Sequence, residues 1–456
     1  MNVTITKKTF DEEQGGRDEF QRKSIAVKVI KLLKSDIDIS PMVIDGSWGT
    51  GKTEFCHKLI NLMKQDNTHN IIYIDAFKAD HVDEPLMTVL AEIIKILPDG
   101  PRRKAFINRV LPAVRYSLKT VAKAGVSHLL RQDFADLTND FDEAIQKAAD
   151  DSIDKTAELI LKDHVEAEKS LQTLQTALTA IASQNPIIIF IDELDRCRPN
   201  FAVDMLEIIK HTFDVEGVSF VLITNTQQLK ASINHCYGQA VDAQRYLDKF
   251  IKFRFELSPH SQRHMTNPVL AANAYFYQLI GEKGFLSSRL LSNTLLKKFI
   301  AKFIGHQGLS LREIETLALH IEVVQVLSNS TRFVPDEYIG YSLLRLVGVM
   351  LVCFRPDILR KIRKGVVDAD LLGDFLGVTK LPYLEEDGRE IPEVCEFIMA
   401  SLITDFNENK VNYAISEDQQ RKWDSYMRHV SFMEEIPYRG RAVAQFIETA
   451  NIMAFE

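Results

Sequence analysis

Short apolar runs recur along the first part of the chain, and each is bounded by polar or turn-forming residues. They span Met42 to Ile44, Ile71 to Ile74, Ile187 to Ile191, Val218 to Ile223, and Phe253 to Leu257. Continuous apolar runs of this length are typical of strands buried on both faces, as in a parallel sheet. Helical patterns separate the runs, so the chain is predicted to be an α/β protein with a five-stranded parallel sheet and helices on both sides.

Helical periodicity and polar stretches divide the chain into regions. Residues 1–17 are polar and are predicted to be a flexible N-terminus. Residues 18–260 hold all five predicted strands and form the core, which begins with a helix from Asp18 to about Lys34. After Pro259 the chain is predicted to be helical to its end.

This helical part is divided into a lid at 261–330 and a C-terminal domain at 331–456. The core also carries a long insertion, at about 85–184, which is predicted to be helical throughout. Near its end, leucines and an isoleucine at 3-4-3 spacing predict one helix face packed on the core. These residues are Leu171, Leu174, Leu178 and Ile181. The most apolar stretch, Val110 to Leu130, is interrupted by basic residues and is interpreted as an amphipathic helix against protein.

The strongest motif follows the first predicted strand and matches G-x-x-x-x-G-K-[ST] at every fixed position. It reads Gly46-Ser47-Trp48-Gly49-Thr50-Gly51-Lys52-Thr53. Glycines let the backbone curl so that its N–H groups surround phosphate groups, and the following helix adds its positive end. The sequence therefore predicts a nucleoside triphosphate site, in which Lys52 contacts the β and γ phosphates and the Thr53 hydroxyl binds Mg²⁺.

A second motif stands where the third predicted strand ends in two carboxylates. Asp192 is placed to hold Mg²⁺, and Glu193 is placed to polarise the attacking water. A glutamate beside the metal-binding aspartate belongs to the NTPase branch with an additional strand between the phosphate loop and the acidic strand. Val218 to Ile223 is predicted to be that strand. No N-K-x-D guanine motif is present, so ATP is preferred over GTP.

Two further residues are candidates for sensing the γ phosphate. Asn225 follows the additional strand and takes the sensor-1 position; alternatively it is a turn-forming residue that ends the strand. Arg312, in a segment where Ser310 and Glu313 could form a capping box, takes the sensor-2 position of the lid; alternatively it makes a surface ion pair.

With these residues in view, the chain resembles the KAP family of P-loop ATPases. The resemblance covers about residues 18–325 and rests on four stretches: GSWGTGKT, Asp75 to Lys78 with Asp83 to Leu86, Ile191 to Cys197, and Tyr246 to Lys249. It implies an oligomerising ATPase that drives or switches a protein partner, often in defence against phage. Family members often carry membrane helices between the two motifs, but the insertion here is charged, so membrane attachment is not carried over.

Composition narrows the location and the partners. The chain has 456 residues, a net charge of -8 and five scattered cysteines without a C-x-x-C pair, which favours a reducing cytoplasm. No signal peptide or bilayer-spanning run is visible. Basic runs at Arg102 to Lys104 and Arg360 to Lys364 are typical of solvated helix faces, but such runs can also grip the phosphates of nucleic acid.

Hydrolysis calls for one more cation at the γ phosphate, and an arginine-finger role is assigned to Arg245 or Lys249, just before the last strand. At the edge of the sheet away from their own phosphate loop, these residues are predicted to face the next subunit of a homo-oligomer. The alternative is that they make surface ion pairs, with Asp242 or Asp248 for instance.

The leading function is an ATPase acting as motor or regulator; a slow nucleotide-gated scaffold for a partner effector and a nucleic-acid translocase are the alternatives.

Overall fold

The protein is described from a computed structural model. The structure describes residues 9–11, 16, 18, 20, 22–82, 84–110, 157–258, 260–261, 269–283, 293–328, 333, 339–385, 392–429 and 442–453. The chain forms two compact units, Met1–Ser258 and Pro259–Glu456, and each is described by itself.

The first unit is built on a five-stranded sheet in which every strand runs parallel to its neighbours. The strands are β1 (Met42–Asp45), β2 (Asn70–Asp75), β3 (Ile187–Asp192), β4 (Val218–Thr224) and β5 (Phe253–Glu256). Their order is β2-β3-β4-β1-β5, so β4 lies between the strand before the phosphate loop and the acidic strand. The predicted fold, with its additional strand, is confirmed.

Side chains alternate across the sheet and build one apolar core on each face. On β3, Ile187, Ile189 and Ile191 join the larger core, whereas Ile188 and Phe190 join the smaller one. Both sets are fully buried, because helices cover both faces of the sheet. This explains why β3 is apolar along its whole length until Asp192.

Eight helices of the first unit have both ends within the described residues. They are α1 (Lys23–Leu33), α2 (Lys52–Met63), α3 (Ala76–Ala79), α4 (Pro85–Ile96), α5 (Ala157–Ala182), α6 (Pro199–His211), α7 (Thr226–Tyr237) and α8 (Ala243–Leu247). Single 3-10 turns follow at Asp80–Val82 and Leu194–Arg196. Helices α1 and α2 cover the smaller core, and α4 to α8 contribute to the larger one.

The first helix begins later than predicted. It starts at Lys23 rather than at Asp18, because the Asp18 carboxylate accepts hydrogen bonds from the N–H groups of Arg22 and Lys23, at 2.6 and 3.1 Å. These N–H groups have no partner within the helix, and the aspartate before them satisfies both.

The predicted insertion is helical in most of its described residues, but not throughout, because turns lie at 97–100 and 183–184. Residues 101–110 are helical in addition to α4 and α5. Within α5, Leu174 and Leu178 are fully buried in the larger core, as the 3-4-3 spacing predicts. Of the predicted amphipathic helix Val110 to Leu130, only the first residue lies within the described part.

The second unit is mostly helical. Its helices are α9 (Ala271–Lys283), α10 (Thr294–Gln307), α11 (Leu311–Leu327), α12 (Ile339–Phe354), α13 (Pro356–Arg363), α14 (Ala369–Leu376), α15 (Val394–Leu402), α16 (Glu417–His429) and α17 (Ala442–Ile452). A 3-10 turn lies at Val411–Tyr413. The prediction of helix alone after Pro259 is wrong at one place, because β6 (His260–Ser261) and β7 (Val269–Leu270) form an antiparallel pair.

Close packing in the second unit depends on small residues at helix contacts. Gly348 of α12 lies against α17, and a Cβ there would come within 3.1 Å of the Phe446 carbonyl oxygen and the Thr449 Cβ. Phe303 of α10 packs edge-on against Phe375 of α14, with ring centroids 5.1 Å apart. In the described part of the chain, no helix has the length and apolar composition that a bilayer span requires.

Candidate nucleotide-binding site

The phosphate loop connects β1 to α2, and its three motif glycines are needed for two different reasons. Gly49 and Gly51 have φ angles of 77° and 80°, in the left-handed region that side chains disfavour. Gly46 has no such angle, but a Cβ there would lie 2.9 Å from the Thr50 hydroxyl oxygen. The loop therefore needs glycine for backbone conformation at two positions and for close approach at the third.

Lys52, the first residue of α2, folds back over the loop. Its Nζ donates to the carbonyl oxygens of Gly46 and Ser47, at 2.6 and 3.1 Å. Burial lowers the pKa of the Lys52 ammonium group, while the nearby carboxylates of Asp195 and Asp192 oppose that shift. A triphosphate in the loop would replace these contacts with neutral carbonyl oxygens by contacts with negatively charged phosphate oxygens, which attract the ammonium group more strongly.

Asp192 lies at the end of the acidic strand with only 1% of its surface exposed. The carboxylate accepts hydrogen bonds from the Tyr73 hydroxyl at 3.1 Å, the Glu193 N–H at 2.8 Å and the Thr53 side chain. Burial raises its pKa to about 6, and these hydrogen bonds only partly offset that effect. A buried carboxylate beside a hydroxyl offers the hard oxygen ligands that Mg²⁺ prefers, so Thr53 and Asp192 fit the predicted metal role.

Glu193 adopts a left-handed backbone conformation, with φ of 60° and ψ of 24°. This conformation costs a non-glycine residue about 1–2 kcal/mol, and such strain is found preferentially at functional sites. The turn that follows places Arg196 back against Glu193, with 2.8 Å between Nη1 and Oε1. The carboxylate predicted to activate water is thus held by a cation of its own loop.

Asp195 connects three segments at the edge of the sheet formed by the carboxyl ends of the strands. Its carboxylate accepts from the Trp48 Nε1 at 2.5 Å and from the Thr224 hydroxyl at 3.1 Å. Trp48 belongs to the phosphate loop and Thr224 ends β4, so Asp195 links both to the acidic strand. Asp195 belongs to the Ile191 to Cys197 stretch quoted above, and these contacts favour a structural role for it.

Tyr73 was not a candidate before the fold was known. It lies on β2, next to β3, and its hydroxyl reaches Asp192 because the two strands pair in parallel with Asp75 opposite Asp192. A single tyrosine among the isoleucines of a buried strand was the one available signal. Asp75 itself caps α3 and pairs with Lys78 at 2.7 Å, which accounts for the Asp75 to Lys78 stretch quoted above.

The sensor-1 candidate lies at the same edge of the sheet. Asn225 caps α7, and its side-chain oxygen accepts from the Gln227 N–H at 3.0 Å. Its neighbour Thr226 donates its N–H and its hydroxyl to Asp45, at 3.0 and 2.5 Å, and so joins α7 to the end of β1. The capping alternative is observed, and contact of Asn225 with a γ phosphate stays a prediction.

The two finger candidates lie in and just after α8. Arg245 forms an ion pair with Asp242 at 3.2 Å on an exposed surface, as its alternative interpretation proposed. Lys249 instead lies 5.4 Å above the centre of the Tyr246 ring, and the Tyr246 hydroxyl donates to Glu207 at 2.7 Å. Unlike Arg245, Lys249 therefore forms no ion pair with a carboxylate among the described residues.

One part of the expected position of these candidates is wrong. β5, the strand after these candidates, is an edge strand as expected, but it is the neighbour of β1 and not at the far side of the sheet from it. The candidates and the phosphate loop are instead separated along the strands, because they lie at opposite ends of β1. The Lys252 N–H bonds to the Pro41 carbonyl at the start of β1, whereas the loop follows the other end of β1.

Arg312 belongs to the second unit. It is the second residue of α11 and is exposed, and the predicted capping box of Ser310 and Glu313 at this helix is confirmed. Its role toward a phosphate stays a prediction.

One comparison identifies the family of the chain. The model of the KAP family P-loop domain matches residues 22–327, about two-thirds of the chain. The match begins at the residue before α1 and ends with α11. No protein of curated function matches the chain.

The burial of Asp192 leads to a prediction for the metal-free protein. Its pKa of about 6 exceeds the ordinary 3.8, so the folded state is penalised when this carboxyl ionises, and stability falls as pH rises between these values. We expect Asp192→Asn to stabilise the chelator-treated protein by on the order of 2–3 kcal/mol at pH 8, with little gain at pH 4. Thermal unfolding at both pH values measures this; an equal effect at both would contradict it.

Proposed function

This chain belongs to the KAP family of P-loop NTPases, and from that premise we propose that it hydrolyses ATP, with Mg²⁺ as cofactor, to drive or switch a protein partner. The observation that carries the proposal is the pair Asp192 and Glu193 at the end of a buried strand. The first carboxylate lies beside Thr53 of the phosphate loop, and the second follows directly on a strained turn. Nucleotide binding alone would not require the second carboxylate.

The side chains divide the chemistry among them. The Lys52 ammonium group leaves the carbonyl oxygens of the loop and contacts the β and γ phosphates. Thr53 and Asp192 would hold the metal. When bound, Mg²⁺ neutralises charge on the phosphates. Glu193 accepts a proton from water as the water oxygen bonds to the γ phosphorus, and the bond from that phosphorus to the β–γ bridging oxygen breaks.

ATP is the proposed nucleotide because the sequence lacks the guanine-specific motif. We place the protein in the cytoplasm as a homo-oligomer that acts as motor or regulator with a protein partner. A role in anti-phage defence is suggested by the family resemblance alone.

The scaffold alternative has one observation in its favour. Glu193 is bound to Arg196, so water activation requires this ion pair to open, and turnover would be slow until a partner opened it. The translocase alternative depends on two basic runs, Arg102 to Lys104 and Arg360 to Lys364, in which Arg102, Arg360, Arg363 and Lys364 are exposed. Steady-state ATP hydrolysis with and without DNA or RNA separates these functions, because only a translocase is stimulated by nucleic acid.

Replacing Glu193 by Gln tests its role as general base. Glu193→Gln keeps shape and hydrogen bonding but loses the charge, so it should bind ATP normally and hydrolyse it at least ~10²-fold more slowly. Phosphate release measures turnover and calorimetry measures binding. Glu216→Gln, at an exposed position before β4, is the matched control and should leave both unchanged. Equal losses of binding and turnover in Glu193→Gln would mean that the residue is structural.

The proposed oligomer leads to a prediction about mixtures. Lys249→Ala should lose most activity, since a finger cation contributes ~10³–10⁵ in rate. Mixed with Lys52→Ala protein, which lacks the phosphate-binding cation, it should regain activity, because some assemblies then pair an intact loop with an intact finger. Arg245→Ala, whose cation is already paired with Asp242, is examined in parallel. Normal hydrolysis by both finger variants as monomers would contradict the oligomeric mechanism.

A further inference from the structure

Arg22 lies directly before α1, and only 5% of its surface is exposed. Its guanidinium group makes two hydrogen bonds to main-chain carbonyl oxygens that are far apart in sequence. Nη1 donates to Thr50 in the phosphate loop at 2.9 Å, and Nη2 donates to Ser258 at 3.2 Å. The Phe20 ring packs against the group, with 4.9 Å from its centre to Cζ.

The contact with Thr50 fixes the orientation of a peptide group. Because a trans peptide is planar, the Thr50 carbonyl and the Gly51 N–H point in opposite directions. Holding the carbonyl on Arg22 therefore directs the Gly51 N–H away from Arg22. Gly51 is the N-cap residue directly before α2 and has a positive φ, so this N–H belongs to the set that a phosphate at a helix N-terminus requires.

Other loop carbonyls are held differently. Those of Gly46 and Ser47 are bound by Lys52, which is expected to leave them when a triphosphate enters. Arg22 lies outside the predicted phosphate-contacting residues, so its bond to Thr50 does not compete with the ligand. It is a constraint on the loop that can persist in the bound state.

The second contact is at the end of the first unit. Ser258 is the last residue of that unit, two residues after β5 ends. One rigid, planar group thus joins the phosphate loop to the point where the chain leaves the sheet. A lysine would not reproduce this pair of bonds, because its single nitrogen cannot occupy the separate positions of Nη1 and Nη2 in a planar guanidinium.

We propose that Arg22 is a positioning residue that orients the Thr50–Gly51 peptide for phosphate binding and ties the state of the loop to the backbone at Ser258. The proposal rests on nucleotide binding at this loop. It gives the protein a direct physical link between the nucleotide and the segment that leads into the second unit.

The test uses the full chain with a non-hydrolysable ATP analogue and Mg²⁺. Arg22→Lys keeps the positive charge but loses the two separate nitrogen donors of the guanidinium group. Arg22→Gln keeps a nitrogen donor but loses the charge. Since both break the double contact, we expect both to lose about tenfold or more in affinity, the scale of a lost hydrogen bond to a charged group. Lys23→Gln, the neighbouring exposed cation, should bind like wild type.

Hydrogen exchange of backbone amides distinguishes the proposed link from a purely structural role of Arg22, which would not make exchange near Ser258 depend on nucleotide. In wild type, the analogue should slow exchange of the amides at the end of β5, up to Ser258, and this response should be absent in Arg22→Lys. Wild-type affinity in Arg22→Lys, or an unchanged exchange response, would overturn the proposal. If wild-type protein binds no analogue at all, the proposed function fails instead, so the two failures are distinguishable.

Discussion

The Asp192 carboxylate is buried at the end of a strand whose other side chains are entirely apolar, and much of the site is arranged around it. Burying a charge without a partner is unfavourable, and the raised pKa of Asp192 is the direct consequence. Tyr73, Thr53 and the Glu193 N–H supply hydrogen bonds but no positive charge. The fold thus retains a buried carboxylate that a metal ion would stabilise.

The surrounding contacts keep separate segments at one edge of the sheet. Asp195 holds the Trp48 indole and the Thr224 hydroxyl, and Asp45 holds the first residue of α7. Glu193 occupies a strained backbone position and is bound to Arg196. Asp195 and Asp45 therefore hold the loops together, whereas Asp192 and Glu193 are the carboxylates proposed for metal binding and for water activation.

The sequence predicted what depends on local pattern and left open what depends on neighbours far along the chain. The five strands, the phosphate loop and the acidic strand end each carry their signal within a few residues. The partners of Asp195, the reach of Tyr73 to Asp192 and the double contact of Arg22 follow from strand order and packing, which no local spacing encodes. The late start of α1 and the β6–β7 pair were missed because a single aspartate and two-residue strands give little periodicity.

The proposed function depends on the binding of Mg²⁺ and ATP at the loop that contains Lys52. Trp48 lies within that loop, and replacing the only other tryptophan, the buried Trp423, by Phe makes it the sole indole reporter. We expect a non-hydrolysable ATP analogue to change Trp48 fluorescence saturably, chelation of Mg²⁺ to weaken this response, and Lys52→Ala to abolish it. An equal, Mg²⁺-independent response in the Lys52→Ala protein would contradict the assignment of the site.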